Sequence, residues 1–315
     1  MYSNFKCTRG FKVNGVLILD KPKGITSQQA VTEVNKIVKA KRAGHTGTLD
    51  PFATGVLPIC FNNATKIIPY MKNDFKKYEA LIHLGISTDT LDNTGKVLKE
   101  SDPGILNKNV IIDAFSKYKG TIKQIPPMFS AIKKDGVRLY KLARKGIEVQ
   151  RAPREVTINE IELLEFESPF IRFKVECSRG TYIRVLAEDI SNDLGCGGHL
   201  TELRRIESDG FNIDKALTIE DIKNGHIELT SLNDVLSHMM EINVSSDLAF
   251  QIRQGKQIKK SHMNLNDLPD FKIGDHLKIY ENSSLVSITE ASVDSSELGK
   301  LDDQTIIFKL LRVFN

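Results

Sequence analysis

The stretch Gly44-His45-Thr46-Gly47-Thr48-Leu49-Asp50-Pro51 crowds a carboxylate, an imidazole and two hydroxyls between glycines. A lone Asp before Pro is ordinarily a turn former, because X-Pro is extended and Asp stabilises turns. The glycines flanking His45-Thr46 let another molecule approach the backbone, and loops on rigid supports are where reactive groups tend to sit. Several chemistries fail on spacing. The loop has no match to the G-x-x-x-x-G-K-[ST] phosphate cradle. His45 and Asp50 lack further metal ligands at usable spacing, and the H-x-E with P-C-x-x-C pattern of zinc deaminases is absent. A glycosidase needs two carboxylates, and sequence spacing leaves that open.

The elements that must hold this loop read as follows. Gly15–Asp20 is a buried strand closed by the turn Lys21–Gly24. Residues 27–41 show helical spacing in Ala30, Val31, Val34, Ile37 and Val38, with Thr26 and Gln29 as a capping box. Gly44–Ala53 has neither period and is a loop. Strand Gly55–Phe61 and a short helix near Ala64–Met71 follow. In Lys76–Gly85, Tyr78, Ala80, Ile82 and Leu84 alternate with Lys77, Glu79, Leu81 and His83, which predicts a strand. Thr88–Gly95 is a polar turn and Asn107–Lys117 a helix. Arg154–Phe166 and Phe170–Ser178 are strands joined at Ser168-Pro169. Tyr182–Leu194 is a helix stopped by Gly195, and His199–Glu207 is a strand. Strands and helices mix without regular βαβ alternation. The expected class is α+β, a mixed and largely antiparallel sheet with flanking helices. Beyond about Met240, His276–Tyr280, Leu285–Ala291 and Thr305–Val313 predict a small all-β, barrel-like module. The expected division is 1–242 and 243–315.

Charge is uneven. Residues 1–80 carry 13 Lys and Arg against 5 Asp and Glu, and residues 116–154 carry 11 against 2, within a chain of net +4. Two basic segments on an otherwise acidic chain suit a polyanion, although solvated lysines on helix surfaces explain the composition equally well. Cys7, Cys60, Cys177 and Cys196 form no C-x-x-C pair, so buried free thiols in a reducing compartment are expected. The early apolar run Val16–Leu19 is too short for a leader core or a membrane span, which points to a cytoplasmic protein.

Gly44–Pro58, reading GHTGTLDPFATGVLP, closely resembles the central motif of the bacterial tRNA pseudouridine(55) synthases. Companion stretches occur in the same order: Leu19–Pro22, Lys76–Tyr78, Thr88–Thr90 with Asp92 and Gly95, Cys177–Arg184 as CSRGTYIR, and Gly195–Arg205 as GCGGHLTELRR. The resemblance spans about Asn14 to Phe211. It implies isomerisation of uridine to pseudouridine at position 55, in the TΨC loop of the tRNA T-arm. It implies no metal or other cofactor, no membrane and no required protein partner, and a monomer. Residue by residue, it makes Asp50 the catalytic nucleophile, Arg184 its ion-pair partner and Tyr78 the stacking platform for a flipped-out uracil. It also makes Tyr182 and Leu203 pocket-lining residues, and His45 a filler of space vacated in the T-loop. Lys21 becomes a phosphate contact or a structural support. The basic 116–154 segment becomes an RNA grip, and the C-terminal module, more weakly, a PUA-like RNA-binding domain. Two rival readings stand beside it. One is a tRNA-binding or folding module without significant catalysis. The other is a carboxylate hydrolase, with Asp89 or Asp92 as the second acid.

Overall fold

The computed structural model describes residues 13–72 and 75–315. Gly15–Lys21 (β1) leads into the helix Ser27–Val38 (α1), which turns its apolar face onto the sheet. The capping box of Thr26 and Gln29 starts α1, and Lys39 ends it in the left-handed conformation. The helix stops short of the expected residue 41 because Asn35 turns back to the chain, its side chain pairing with both backbone groups of Ala40. Ala43–His45 (β2), Thr54–Phe61 (β3) and Phe75–Leu84 (β4) follow, with two short 3-10 turns, Asn62–Lys66 and Ile68–Tyr70, where one helix was expected. Pro69 inside that stretch lacks the N–H that a continuous helix would use.

Ile86–Thr88 (β5) and Val97–Glu100 (β6) form a two-stranded ribbon around the polar turn. Lys108–Ser116 (α2), Gly120–Gln124 (β7), the hairpin Lys133–Lys134 (β8) with Val137–Arg138 (β9), and Leu139–Ala143 (α3) carry the basic segment. Then come Arg154–Glu167 (β10), Phe170–Ser178 (β11), Ile183–Asp193 (α4), Gly198–Ser208 (β12) and Phe211–Asn212 (β13).

The main sheet runs β1-β3-β12-β4-β11-β10-β7, with β2 beside β3 and β13 beside β12. Its pairings are antiparallel except β3 with β12. It is the mixed, largely antiparallel α+β sheet that the pattern predicted. β4 lies centrally, flanked by β12 and β11, and one face of the sheet meets α1, α2 and α4 in the main core.

After the short helices Ile219–Lys223 (α5) and Leu232–Val235 (α6), Met240–Asn243 (β14), Ser246–Arg253 (α7), Ile258–Lys259 (β15), His276–Glu281 (β16), Ser284–Ala291 (β17) and Ile306–Val313 (β18) build a second sheet, ordered β14-β16-β17-β18-β15. This curled half-barrel is PUA-like. It is not all-β: α7 packs Leu248, Ala249 and Ile252 into its core, with Ser245 capping the Leu248 N–H. The two sheets meet in a third apolar cluster, in which Val16, Cys60, Ile67 and Met71 pack with Leu236, Met239, Ile288 and Phe314. Cys60, Cys177 and Cys196 are buried free thiols, whereas Cys7 lies outside the described residues. No helix among the described residues is long and apolar enough to cross a membrane.

Candidate active site

Asp50 sits in the loop between β2 and β3, and the loop is pinned from both sides. The Ser27 hydroxyl, at the start of α1, donates to Leu49 O (3.0 Å) and accepts from Leu49 N–H (2.8 Å). Lys21, fully buried at the end of β1, donates to Pro22 O and Ile25 O (2.8 Å each) and to Pro51 O (3.5 Å). Leu49, Phe52 and Ala53 are buried, so the backbone around Asp50 has little freedom. The Asp50 side chain keeps 34% of its surface open and lines a cavity of about 380 Å³.

Arg184 occupies the first turn of α4, where a cation opposes the helix dipole. Its neighbours explain why it is there. Nε lies 2.9 Å from Asp50 Oδ2 and Nη1 lies 3.5 Å from Asp92 Oδ2. Nη1 also donates to Thr90 O and Nη2 to Phe129 O, each at 2.8 Å. The side chain is only 4% exposed, and each guanidinium nitrogen has a partner. Burial pushes the Asp50 carboxyl above the usual range, Arg184 and Lys21 pull it back, and Asp92 pushes it up again. A carboxylate so placed is poised as a nucleophile or base, because desolvation strengthens its basicity while Arg184 keeps the anion accessible.

Tyr78 and Leu203 enter the same cavity from β4 and β12, which are neighbours in the sheet. Tyr182 enters from the residue before α4. Its backbone N–H and C=O are both taken by the Gln124 side chain, at 2.7 and 3.1 Å, so a residue on β7 fixes the backbone from which α4 starts. Asp50, Arg184, Tyr78, Tyr182 and Leu203 therefore come together from four separate stretches of chain.

A family model for the N-terminal domain of TruB family pseudouridylate synthases matches residues 35–183, and one for the C-terminal domain of tRNA pseudouridylate synthase B matches 184–241. The tRNA pseudouridine synthase B of Geobacter sulfurreducens is 40% identical over 309 residues, covering 96% of this chain and all of that protein. The namesake from Clostridium tetani is 40% identical over 291 residues, covering 92% and 99%. The chain belongs to the TruB family. It is an isomerase that forms pseudouridine in tRNA. Among solved structures, a Cbf5-Nop10-Gar1 complex matches with a TM-score of 0.70 at 27% identity, covering 96% of this chain and 85% of that one. An H/ACA ribonucleoprotein bound to a substrate RNA containing 2′-deoxyuridine matches at 0.68 and 25%, with the same coverage.

Two residues that the TruB resemblance associates with RNA do not line the cavity. Lys21 is buried under the Asp50 loop, with its ammonium directed at three backbone carbonyls. Its burial pushes its pKa down to about 8, against the pull of Asp50. His45 lies half-buried in β2, with its Nδ1 buried and unpaired among the described residues. Burial, with Arg205 and Lys76 nearby, holds its pKa below the ordinary imidazole value.

Sequence reasoning did not single out Gln124, Lys76, Arg179 or Arg205 as individual site residues. Arg205 is fully buried behind Tyr78, donating through Nε to Val56 O (2.7 Å) and through Nη2 to Gly47 O (3.1 Å). Gly55, at φ +102°, is pressed against the backbone of Arg205 so closely that a side chain there would collide with it. Burial raises the Tyr78 phenol to about 12, so it stays neutral. The signal for Lys76 was present: it shares strand parity with Tyr78, Ala80 and Ile82, and so points inward with them.

Proposed function

We propose that the cavity receives a uridine flipped out of the TΨC loop, at position 55, and that the Asp50 carboxylate attacks it as the nucleophile. The observation that carries this reading is the 2.9 Å Asp50–Arg184 pair at the wall of a cavity that Tyr78 also lines. A base inside a folded loop must leave its stack to reach a carboxylate so enclosed. Tyr78 and Leu203 offer faces against which the uracil packs, and aromatic stacking contributes about 1–3 kcal/mol per base. Asp50 bonds to the nucleotide, the glycosidic C–N bond breaks with its electron pair going to the base, the base rotates in place, its C5 bonds to C1′, the bond to Asp50 breaks to return the carboxylate, and the proton lost from C5 is matched by one taken up at N1. Electrons balance without an oxidant or reductant. Arg184 holds the carboxylate in place and ionised.

The β8–β9 hairpin and α3 expose Lys133, Lys134, Arg138 and Arg144 beyond the cavity's Ser130–Ile132 wall. In this reading they grip the T-arm backbone and position it, while the cavity selects the base. The second sheet supplies a further RNA contact surface, with the division between the two units near residue 242.

A turnover assay on transcribed tRNA and on its isolated T-arm, with mapping of the modified uridine, tests the proposal. Pseudouridine at the TΨC position with wild type and none with Asp50→Asn is the expected result. Substantial turnover by Asp50→Asn would remove the nucleophile assignment.

A further inference from the structure

The cavity has a second charged end. Lys76 precedes Tyr78 by two residues on β4, so both side chains leave the same face of the strand. Lys76 is only 7% exposed and lines the cavity. Its ammonium nevertheless makes neither a hydrogen bond nor an ion pair among the described residues. Buried ammonium groups ordinarily find acceptors, as Lys21 does with three carbonyls.

The carboxylate that acts most on Lys76 is Asp209, whose Oδ2 accepts from the hydroxyls of Thr46 and Ser208 and whose Oδ1 is buried without a partner, but neither oxygen is within ion-pair distance of the ammonium. Arg205 and Arg179, both positive, oppose its charge, and the buried Cys177 thiol favours it only weakly. Arg205 is fixed to Val56 O and Gly47 O. Arg179, exposed at the rim of the cavity, spends one nitrogen on Thr46 O (3.2 Å). Gly47 keeps the space in front of Lys76 open, because a Cβ there would lie 2.6 Å from Nζ. Burial and the two guanidinium groups together bring the Lys76 pKa down to about 8, as expected for a cation still lacking its anion.

We propose that Lys76 and Arg179 form a phosphodiester subsite that takes a backbone phosphate flanking the target uridine. This rests on the reading that a flipped uridine fills the cavity. A nucleotide that leaves its stack carries its sugar and both phosphates to the mouth of the pocket it enters. The base must lie near Asp50 and Tyr78 for chemistry, so the sugar–phosphate end extends toward the mouth, where the exposed Arg179 stands with Lys76 on the cavity wall beside it. A uracil carbonyl would accept one hydrogen bond and leave the excess positive charge in place, whereas a phosphate neutralises it. The subsite would recognise the flipped state specifically, since a stacked nucleotide cannot bring its phosphate to an ammonium this enclosed.

The test uses T-arm stem-loop RNAs with a neutral methylphosphonate at the linkage 5′ or 3′ of the target uridine. Each is bound to the wild-type protein and to Lys76→Met over a salt series. The expected result is that one of the two linkages costs wild type about tenfold in affinity and costs Lys76→Met about threefold, the share left to Arg179. The log–log salt slope of Lys76→Met on unmodified RNA should be smaller by about 0.7. Wild-type affinity should weaken as pH rises through 8, and Lys76→Met should not follow it. Equal methylphosphonate penalties in both proteins would overturn the subsite. So would a wild-type protein indifferent to both substitutions, a result that requires no variant to fold. Pseudouridine formation by wild type on unmodified RNA is scored in parallel. Its failure would overturn the flipped-uridine reading, whereas a normal yield with no phosphate coupling would overturn only the subsite.

Discussion

At one end of the cavity Arg184 is buried with all three guanidinium nitrogens engaged, by two carboxylates and two backbone carbonyls. At the other end Lys76 is buried almost as deeply and engages nothing among the described residues. The first arrangement is complete before any substrate arrives and fixes Asp50 in place. The second is left open, at a cost in folding free energy, and becomes satisfied only when an anion enters. One end is organised for chemistry and the other for capture, and the substitutions below separate them.

Asp50→Asn should have the largest effect, a loss of about 10⁴-fold or more in turnover, with T-arm affinity changed little. Single-turnover assays and equilibrium binding on the same RNA check this, and a matching loss of affinity would mean that Asp50 serves capture as well. Arg184→Lys keeps the charge but not the planar fork, and about 10²-fold of turnover should go with it. Arg184→Gln removes the group that pulls the Asp50 pKa down. The carboxylate is active when ionised, so the acid limb of kcat/KM should move to higher pH in that variant. An unmoved limb would assign the acid limb to another group.

Neutralising Lys133, Lys134, Arg138 and Arg144 together should lower the salt slope of RNA binding by about 2–3 while leaving single-turnover chemistry at saturating RNA near wild type. An unchanged slope would show that the hairpin faces solvent and not RNA. The smallest effect concerns stability. The folded-state pKa of Lys76 lies at about 8 against an ordinary value of 10.5, so the unfolded chain binds more protons between those limits. Stability of the wild type should therefore rise with pH across that window relative to Lys76→Met. At pH 7 the variant should melt at a higher temperature than wild type, and calorimetry at pH 7 and pH 10 distinguishes the two behaviours.

The capture end was harder to read from sequence than the chemical end, for a physical reason. Asp50 announced itself through a long local motif, and the resemblance of CSRGTYIR supplied Arg184 as its partner. The alternation around Tyr78 gave β4, and through it the centre of the sheet. Lys76 obeyed the same alternation, but a lysine at a strand end is ordinarily solvated, and only tertiary packing shows that it is not. Gln124 was invisible because its task, holding the Tyr182 backbone ahead of α4 from β7, depends on a contact between a strand and a helix start remote in sequence. The helix α7 was missed inside the C-terminal module because eight residues carry too few helical turns to outweigh the surrounding alternation.

The Arg184 guanidinium also has a consequence for the order in which the molecule assembles. It ties α4 to Thr90 across 94 residues of sequence, to Phe129 across 55, and to Asp50 across a longer span still. Loops of that length must close before any of these bonds forms, and their closure is rewarded only when the segments arrive together. Loop-closure entropy therefore predicts that the Asp50–Arg184 pair forms late in folding. Hydrogen exchange in the Asp50 loop, the Thr90–Asp92 turn and the residues before the basic hairpin should accelerate together when Arg184 is replaced, because one side chain closes three long loops at once.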